Sequence, residues 1–130
     1  MPHQHHEQCD DDLFCGVNWA KDPDNMTDLE KKHTPVITAP ATVKKDECFD
    51  VTVEVGKLLA HPNARYHFFG FIELYADDTY LGRQDFTPVT TCPIARFCVN
   101  LEHGHGRLRA FASCNLHGIW EGEKPLAVTD

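Results

Sequence analysis

The chain has 130 residues, of which 20 are acidic and 12 basic, so its formal net charge is −8. This acidity argues against a nucleic-acid-binding protein, which normally carries a basic face. Hydrophobic residues make up 42 % of the chain, a composition that suits one folded domain with its own core. No stretch approaches the roughly 20 apolar residues that cross a bilayer, and the N-terminus lacks the apolar core of a secretory signal. We therefore expect a cytoplasmic protein that binds neither nucleic acid nor membrane.

The chain is predicted to consist of an irregular N-terminal arm, residues 1–28, followed by one domain, residues 29–130. Asp28 is expected to cap a short helical turn that Pro35 ends. Cys9 and Cys15 lie in the arm, close to three histidines at its start. This arrangement leaves three interpretations open: a disordered histidine-rich arm, a second metal site, or a redox-linked thiol pair.

The domain reads as β-structure, because apolar and polar residues alternate along several short segments separated by turn signals. About seven strands with this spacing and no convincing helix predict an all-β fold, an immunoglobulin-like antiparallel β-sandwich. The predicted strands lie within residues 36–39, 48–55, 67–75, 80–83, 94–101, 107–113 and 125–128.

Six cysteines could indicate a disulfide scaffold, but the chain is larger than the small domains that depend on one, and cytoplasmic thiols are kept reduced. Cys48, Cys92 and Cys98 stand among apolar or strand-forming residues. We expect all three to be buried free thiols.

The segment Cys114–Trp120 has the sequence CNLHGIW, which places a thiol and an imidazole three residues apart. Gly118 follows the histidine, and glycine allows a sharp turn that can aim both side chains at one point. A soft sulfur donor beside an imidazole suits iron, copper or zinc, and suits magnesium or calcium poorly.

Three further histidines, His33, His61 and His67, stand in unusual local settings, two of them beside a proline. His61, His67, Cys114 and His117 lie at predicted strand ends or in the neighbouring loops, which cluster at one end of a sandwich. With Cys114 and His117, the three histidines make five potential donors. Structural zinc usually takes four ligands in a tetrahedron. Five donors leave one position open on an octahedral ion, which favours redox-active iron.

Three motifs together resemble the one-iron superoxide reductases of the neelaredoxin and desulfoferrodoxin family. They are KHTP at residues 32–35, HPN at 61–63 with His67 six residues on, and CNLHGIWE at 114–121. The resemblance spans about residues 30 to 121. It implies one mononuclear non-haem iron, Fe(2+)/Fe(3+), that reduces superoxide to hydrogen peroxide.

The same resemblance implies the ligand set: His33, His61, His67 and His117 in a plane around the iron, with the Cys114 thiolate axial. It also implies that Lys32 lies near the open face, attracts the anionic substrate and helps its protonation. Relatives usually carry a glutamate directly before that lysine, as a sixth ligand to oxidised iron. Here Lys31 occupies the position, so Glu30, one residue upstream, is a doubtful sixth ligand.

The resemblance further implies a small electron-transfer protein, such as rubredoxin, as the reductant, and a homo-oligomer, either dimer or tetramer. Two other functions remain as alternatives from the sequence. One is a non-catalytic metal-binding sandwich used for storage or partner contact. The other is weak superoxide dismutase activity at the same iron site.

Overall fold

The computed structural model describes residues 12–130, and these residues form a nearly all-β fold. None of the helices in this part of the chain has the length and apolar character needed to span a membrane. The elements are β1 (Asn18–Trp19), α1 (Asp28–His33), β2 (Val36–Thr38), β3 (Thr42–Lys44), β4 (Phe49–Glu54), β5 (Phe69–Ala76), β6 (Thr79–Asp85), β7 (Ile94–Val99), β8 (Arg107–Cys114), β9 (Gly118–Pro125) and β10 (Ala127–Thr129).

Within residues 12–130 the strands form three hydrogen-bonded sheets. The largest has the order β1-β9-β8-β5-β6, the second the order β2-β4-β7, and the third pairs β10 with β3. Most neighbours are antiparallel, whereas β1–β9 and β10–β3 are parallel. This arrangement confirms the predicted all-β class and the sandwich architecture.

The core lies between the sheets and is filled by the alternating apolar residues of the long strands. Val51 and Val53 of β4 are fully buried, as are Ile72 and Leu74 of β5 and Leu108 of β8. The period-2 pattern of β4 and β8 therefore predicted the buried face correctly, because side chains of a strand alternate between the two sides of a sheet.

Three strands within residues 12–130 were not predicted. Strand β9 escapes the alternation rule because its residues Trp120, Glu121 and Gly122 are buried in succession between β8 and β1. Strands β1 and β3 are only two and three residues long. Strand β1 also ties part of the predicted N-terminal arm, residues 1–28, into the largest sheet.

Helix α1 is capped by Thr27, and not by Asp28 as predicted. The Thr27 hydroxyl accepts a hydrogen bond from Glu30 N at 3.1 Å, and a Glu30 carboxylate oxygen accepts one from Thr27 N at 2.9 Å. This reciprocal pair is a capping box, which satisfies two backbone donors that the first turn leaves unpaired. The helix ends at His33, two residues before Pro35.

The prediction that Cys48, Cys92 and Cys98 are buried is wrong, since all three thiols are exposed. Cys98 lies in β7, where the neighbouring positions Phe97 and Val99 face inwards, so alternation turns Cys98 outwards. Cys48 and Cys92 lie in the connections that precede β4 and β7.

Candidate metal centre

The turn between β8 and β9 positions the thiol and the imidazole of the CNLHGIW segment. Cys114 is the last residue of β8 and Gly118 is the first of β9, with φ of +81°. A side chain at Gly118 would also overlap the carbonyl oxygen of Leu13. The sharp turn predicted at Gly118 is therefore confirmed, and it places Cys114 and His117 on the same side.

His33 enters the site from the C-terminal end of α1 and is only 1 % exposed. Its Nδ1 lies 2.7 Å from the carbonyl oxygen of Leu29, one helical turn earlier. Its ring stacks on Trp120 with the ring centroids 5.2 Å apart. The indole Nε1 of Trp120 in turn donates to the His117 carbonyl oxygen at 2.9 Å. Trp120 therefore packs on one histidine of the site and holds the backbone of another.

The connection between β4 and β5 carries His61 and His67. Gly56, with φ of +83°, turns the chain out of β4. The Nδ1 atom of His61 lies 2.6 Å from the Pro62 carbonyl oxygen, and Ala64 and His67 exchange two backbone hydrogen bonds. Asn63 holds this connection to residues 89–91 through its side-chain amide. These local contacts turn both imidazoles towards Cys114.

The structure brings the five sequence-predicted metal ligands together. One donor atom from each of them lies within 4.8 Å of the donor atoms of all the others. His33 Nε2 is 3.1 Å from His117 Nδ1, and Cys114 Sγ is 3.5 Å from His61 Nε2 and 3.6 Å from His117 Nδ1. The group consists of His33, His61, His67, Cys114 and His117.

Hydrogen bonds also indicate which nitrogen is available to a metal in two of the four rings. The Nδ1 atoms of His33 and His61 face backbone carbonyls, which leaves their Nε2 atoms to the centre of the cluster. His67 Nε2 is buried and has no hydrogen-bond partner. A buried polar atom without a partner needs an explanation, and a bound ion supplies one. The donor set fits a transition-metal ion.

The electrostatics of the site favour neutral imidazoles, the form that binds metal. The pKa values of His33 and His61 are lowered to about 4 in each case, mainly by burial and in part by the neighbouring histidines. Burial also lowers the pKa of His67, and the charges of His117 and Lys32 add to this effect. At neutral pH these three rings can therefore offer lone pairs to a metal.

Cys114 is 1 % exposed, and burial raises the pKa of its thiol. The backbone N–H groups of Leu116 and His117 donate to the sulfur and act in the opposite direction. These two N–H donors can stabilise a negatively charged sulfur. A bound cation would neutralise the charge that remains on the buried thiolate. The site therefore suits a thiolate bound to a metal ion.

Lys32 and Glu30 lie on the same helix but in different surroundings. Lys32 is half-buried. Its charge lowers the pKa of both His33 and His67, although by less than burial and the neighbouring histidines do. Its ammonium group therefore acts on the cluster. The carboxylate of Glu30 accepts hydrogen bonds from Thr27 N and from Lys21 N, at 2.9 and 3.1 Å. Glu30 is not among the residues that the structure brings together at the cluster.

Asn115 is a positioning residue that sequence reasoning passed over. Its side-chain oxygen accepts from Phe68 N at 2.8 Å, and its side-chain nitrogen donates to Tyr66 O at 2.9 Å. These two bonds bracket His67 and fasten its backbone to the Cys114 turn. The available signal was an asparagine in a tight turn, since this side chain readily bonds to backbone groups.

Replacing Asn115 by alanine should weaken metal binding by about 10- to 100-fold, the usual loss when a residue that orients ligands is removed. His67 then loses the two hydrogen bonds that fix its flanking peptides. Competition with a chelator of known affinity measures the change. Asn100→Ala is the matched control, because Asn100 is exposed and follows β7. Equal affinity of the Asn115→Ala variant and the unchanged protein would contradict the positioning role.

Comparison with known proteins agrees with this site. The desulfoferrodoxin family profile matches residues 25–123. A Methanocaldococcus jannaschii protein is 42 % identical over 87 % of this chain and 95 % of its own length. The superoxide reductase of Pyrococcus furiosus is 36 % identical over 74 % of this chain and 89 % of its own.

A solved structure of the superoxide reductase (neelaredoxin) from Ignicoccus hospitalis superimposes with a TM-score of 0.67 and 40 % identity. The match covers 74 % of this chain and 80 % of that one. The family match spans residues 25–123, a stretch that contains all five clustered donors. With its fold, its donor cluster and these relatives in agreement, the chain belongs to the desulfoferrodoxin family.

Proposed function

We propose that the protein is a superoxide reductase, which reduces superoxide by one electron to hydrogen peroxide at a mononuclear non-haem iron. His33, His61, His67, His117 and Cys114 would hold the iron. The observation that carries the proposal is the convergence of these five donors within 4.8 Å, four of them imidazoles and one a buried thiol. Its relatives in the family, including the Pyrococcus furiosus protein, bear the name superoxide reductase.

The donor set suits iron better than the alternatives. Four imidazoles and one thiolate exceed the four ligands of a structural zinc site. Calcium and magnesium take oxygen ligands, and the cluster offers none. Iron held here would supply one electron to superoxide, and two protons would complete hydrogen peroxide. The residues of the chain therefore have two further tasks, which are to admit the anion and to deliver protons.

The five donors are buried to different extents, and this difference determines the side from which a small anion can reach the cluster. Cys114 and His33 are buried, at 1 % exposure each, while His61, His67 and His117 are only half-buried. A small anion can therefore reach the cluster from the side of the half-buried imidazoles. The buried side, lined by Phe69 and Trp120, excludes water from the thiol.

Basic residues lie close in sequence to three of the clustered histidines. The residues Lys31 and Lys32 precede His33, and the connection of residues 56–68 carries Lys57 and Arg65 without any carboxylate. On a chain of net charge −8, such a local positive field raises the concentration of an anionic substrate at the site. Among them, Lys32 is the residue whose charge lowers the pKa of two of the histidines. We assign it the capture of superoxide and the ordering of proton-donating water.

Replacing Lys32 by alanine should slow the second-order reaction with superoxide by about tenfold, the lower end of what local charge contributes to capture of a charged substrate. The rate should also depend less on ionic strength, because salt screens the charge that was removed. Pulse radiolysis at several salt concentrations measures both effects.

Lys44→Ala is the control for this experiment, since Lys44 is an exposed lysine of β3 and makes the same change in net charge. Its rate and salt dependence should match those of the unchanged protein. An unaltered rate for Lys32→Ala would place that side chain outside the path of the substrate.

The reaction itself is tested by its stoichiometry. Protein loaded with Fe(II) and mixed with superoxide should yield one peroxide for each superoxide consumed. A dismutase yields half as much peroxide and releases oxygen. A storage protein yields none beyond the spontaneous background, and purifies with zinc that oxidation leaves unchanged.

Four finer points stay predictions. The reductant is expected to be a small electron-transfer protein such as rubredoxin, the assembly a homo-oligomer, and the location cytoplasmic. A sixth-ligand role for Glu30 would require its carboxylate to leave the Thr27 and Lys21 N–H groups. Glu30→Gln with loaded iron tests this role through the spectrum of the oxidised form.

A further inference from the structure

Two exposed thiols lie diagonally across the start of the β4–β7 strand pair. Asp50 of β4 lies directly opposite Cys98 of β7. Cys48 precedes Asp50 by two residues and shares its side of the sheet, because side chains alternate along a strand. Cys48 is therefore the diagonal neighbour of Cys98, and both thiols are exposed. Neither belongs to the cluster described above.

The two sulfurs interact in the structure. A hydrogen bond with the Cys48 thiol raises the pKa of Cys98, and the Asp50 carboxylate contributes in the same direction. Cys48 lies in the connection before β4, so no ladder bond fixes its backbone. A disulfide requires Cα atoms within about 7 Å, and diagonal neighbours lie close to this limit. A small adjustment at Cys48 is therefore enough to join the pair.

The pair is far from the proposed iron site. Strand β4 starts beside Cys48 and ends at Glu54, where the chain continues to His61. Six strand residues at about 3.3 Å each put the thiols roughly 20 Å from that end of the sheet. Cys98 also borders an open groove of about 400 Å³ with Arg96 and Tyr80, so small solutes reach it from solvent.

We propose that Cys48 and Cys98 are a peroxide-sensitive dithiol that closes to an intramolecular disulfide, with hydrogen peroxide as the oxidant. The inference rests on the proposed function only for the source of the peroxide, which is the product of superoxide reduction. The thiol pair itself follows from the strand register and from the exposure of both sulfurs.

The chemistry balances in two steps. One thiolate attacks a peroxide oxygen, the O–O bond breaks, and a sulfenic acid and one water result. The second thiol then attacks the sulfenic sulfur, the S–O bond breaks, and a second water leaves as the S–S bond forms. Both sulfurs are oxidised by one electron each, and one peroxide is reduced to two waters.

The test treats the reduced, iron-loaded protein with hydrogen peroxide and maps its peptides by mass spectrometry without reduction. We expect a Cys48–Cys98 linked peptide, with the chain lighter by two hydrogen atoms and still monomeric on a non-reducing denaturing gel. The linked protein should also unfold at a higher denaturant concentration. The bridge closes a loop between positions 48 and 98 and so lowers the conformational entropy of the unfolded chain.

Cys48→Ser and Cys98→Ser should each abolish the linked peptide and leave a sulfenic acid that dimedone traps. Cys92→Ser, which removes another exposed free thiol, should leave the link intact. A sulfenic or sulfinic acid on the unchanged protein without the link, or a link between two chains, would overturn the proposal.

A second arm separates this inference from the proposed function. Cys114→Ser keeps the thiol pair and removes a proposed iron ligand. Added peroxide should still link Cys48 to Cys98 in this variant, whereas superoxide should not, beyond the background from spontaneous dismutation. If superoxide linked the two thiols equally in the unchanged protein and in Cys114→Ser, the iron site would not be the source of the peroxide, but the dithiol proposal would still hold. Failure with added peroxide in both would overturn the dithiol alone.

Discussion

Replacing Cys114 by serine should lower the rate of superoxide reduction by at least about 100-fold. Removing a residue that merely orients a metal ligand already costs up to about 100-fold, and Cys114 is proposed to be a ligand itself. The Cys114 sulfur lies 3.5 Å from His61 Nε2 and 3.6 Å from His117 Nδ1, at the buried side of the cluster. A serine hydroxyl is neutral and hard where the thiolate is negative and soft, so it binds iron weakly. Stopped-flow or pulse radiolysis with superoxide measures the rate.

The same variant should lose the visible absorption that a thiolate bound to oxidised iron produces. Its fold should persist, because the smaller hydroxyl can accept the same backbone N–H groups of Leu116 and His117. Cys92→Ser serves as the control and should keep both the absorption and the activity, since Cys92 is exposed and lies outside the cluster. Absorption retained by Cys114→Ser would contradict the assignment of Cys114 as a ligand.

Replacing Gly122 by alanine should destabilise the protein by about 3 kcal/mol, at the upper end of the usual cost of overpacking. A Cβ atom at this position would overlap the carbonyl oxygen of Pro35 and approach its carbonyl carbon to 3.1 Å. Both obstacles are backbone atoms, which cannot turn aside as a side chain could. Gly122 lies in β9, and β8 holds it from the other side through its pairing with Ala110.

The substitution should also weaken the metal site, because Pro35 follows His33 by two residues. Moving Pro35 away from β9 draws the end of α1, and with it the His33 imidazole, out of the cluster. Urea unfolding and metal content per chain measure the two effects. Gly104→Ala is the control, since a Cβ atom there meets nothing within 4 Å, and it should change stability by less than about 0.5 kcal/mol. Unchanged stability for Gly122→Ala would contradict the close approach of the two segments.

Local alternation predicted the central strands, because a strand with one buried face repeats every two residues whatever its partners are. The strands β4, β7 and β8 follow this rule and, together with β5, supply most of the core. Strand β9 does not, because contacts on both edges and both faces bury three successive residues of it. Such burial depends on neighbours distant in sequence, so the local pattern carries no trace of it.

The exposed cysteines show the same difference between what the local sequence predicts and what strand pairing decides. Cys98 stands among apolar residues, which favoured a buried side chain, yet its register opposite Asp50 places it on the solvent side with Cys48. Which cysteines meet across two strands depends on how those strands pair. The proposed dithiol therefore became visible only once the pairing was known.

The sequence by itself determined the donor set of the candidate site. Residue type defines which atoms can bind a soft metal, and the order of the motifs identified His33, His61, His67, Cys114 and His117. Only the tertiary structure decided which ring nitrogens face the cluster, that the Glu30 carboxylate caps α1, that Lys32 acts on the histidines and that Asn115 holds the backbone around His67. Those outcomes depend on hydrogen bonds, burial and charges contributed by separate elements, and such contacts exist only after the chain has folded.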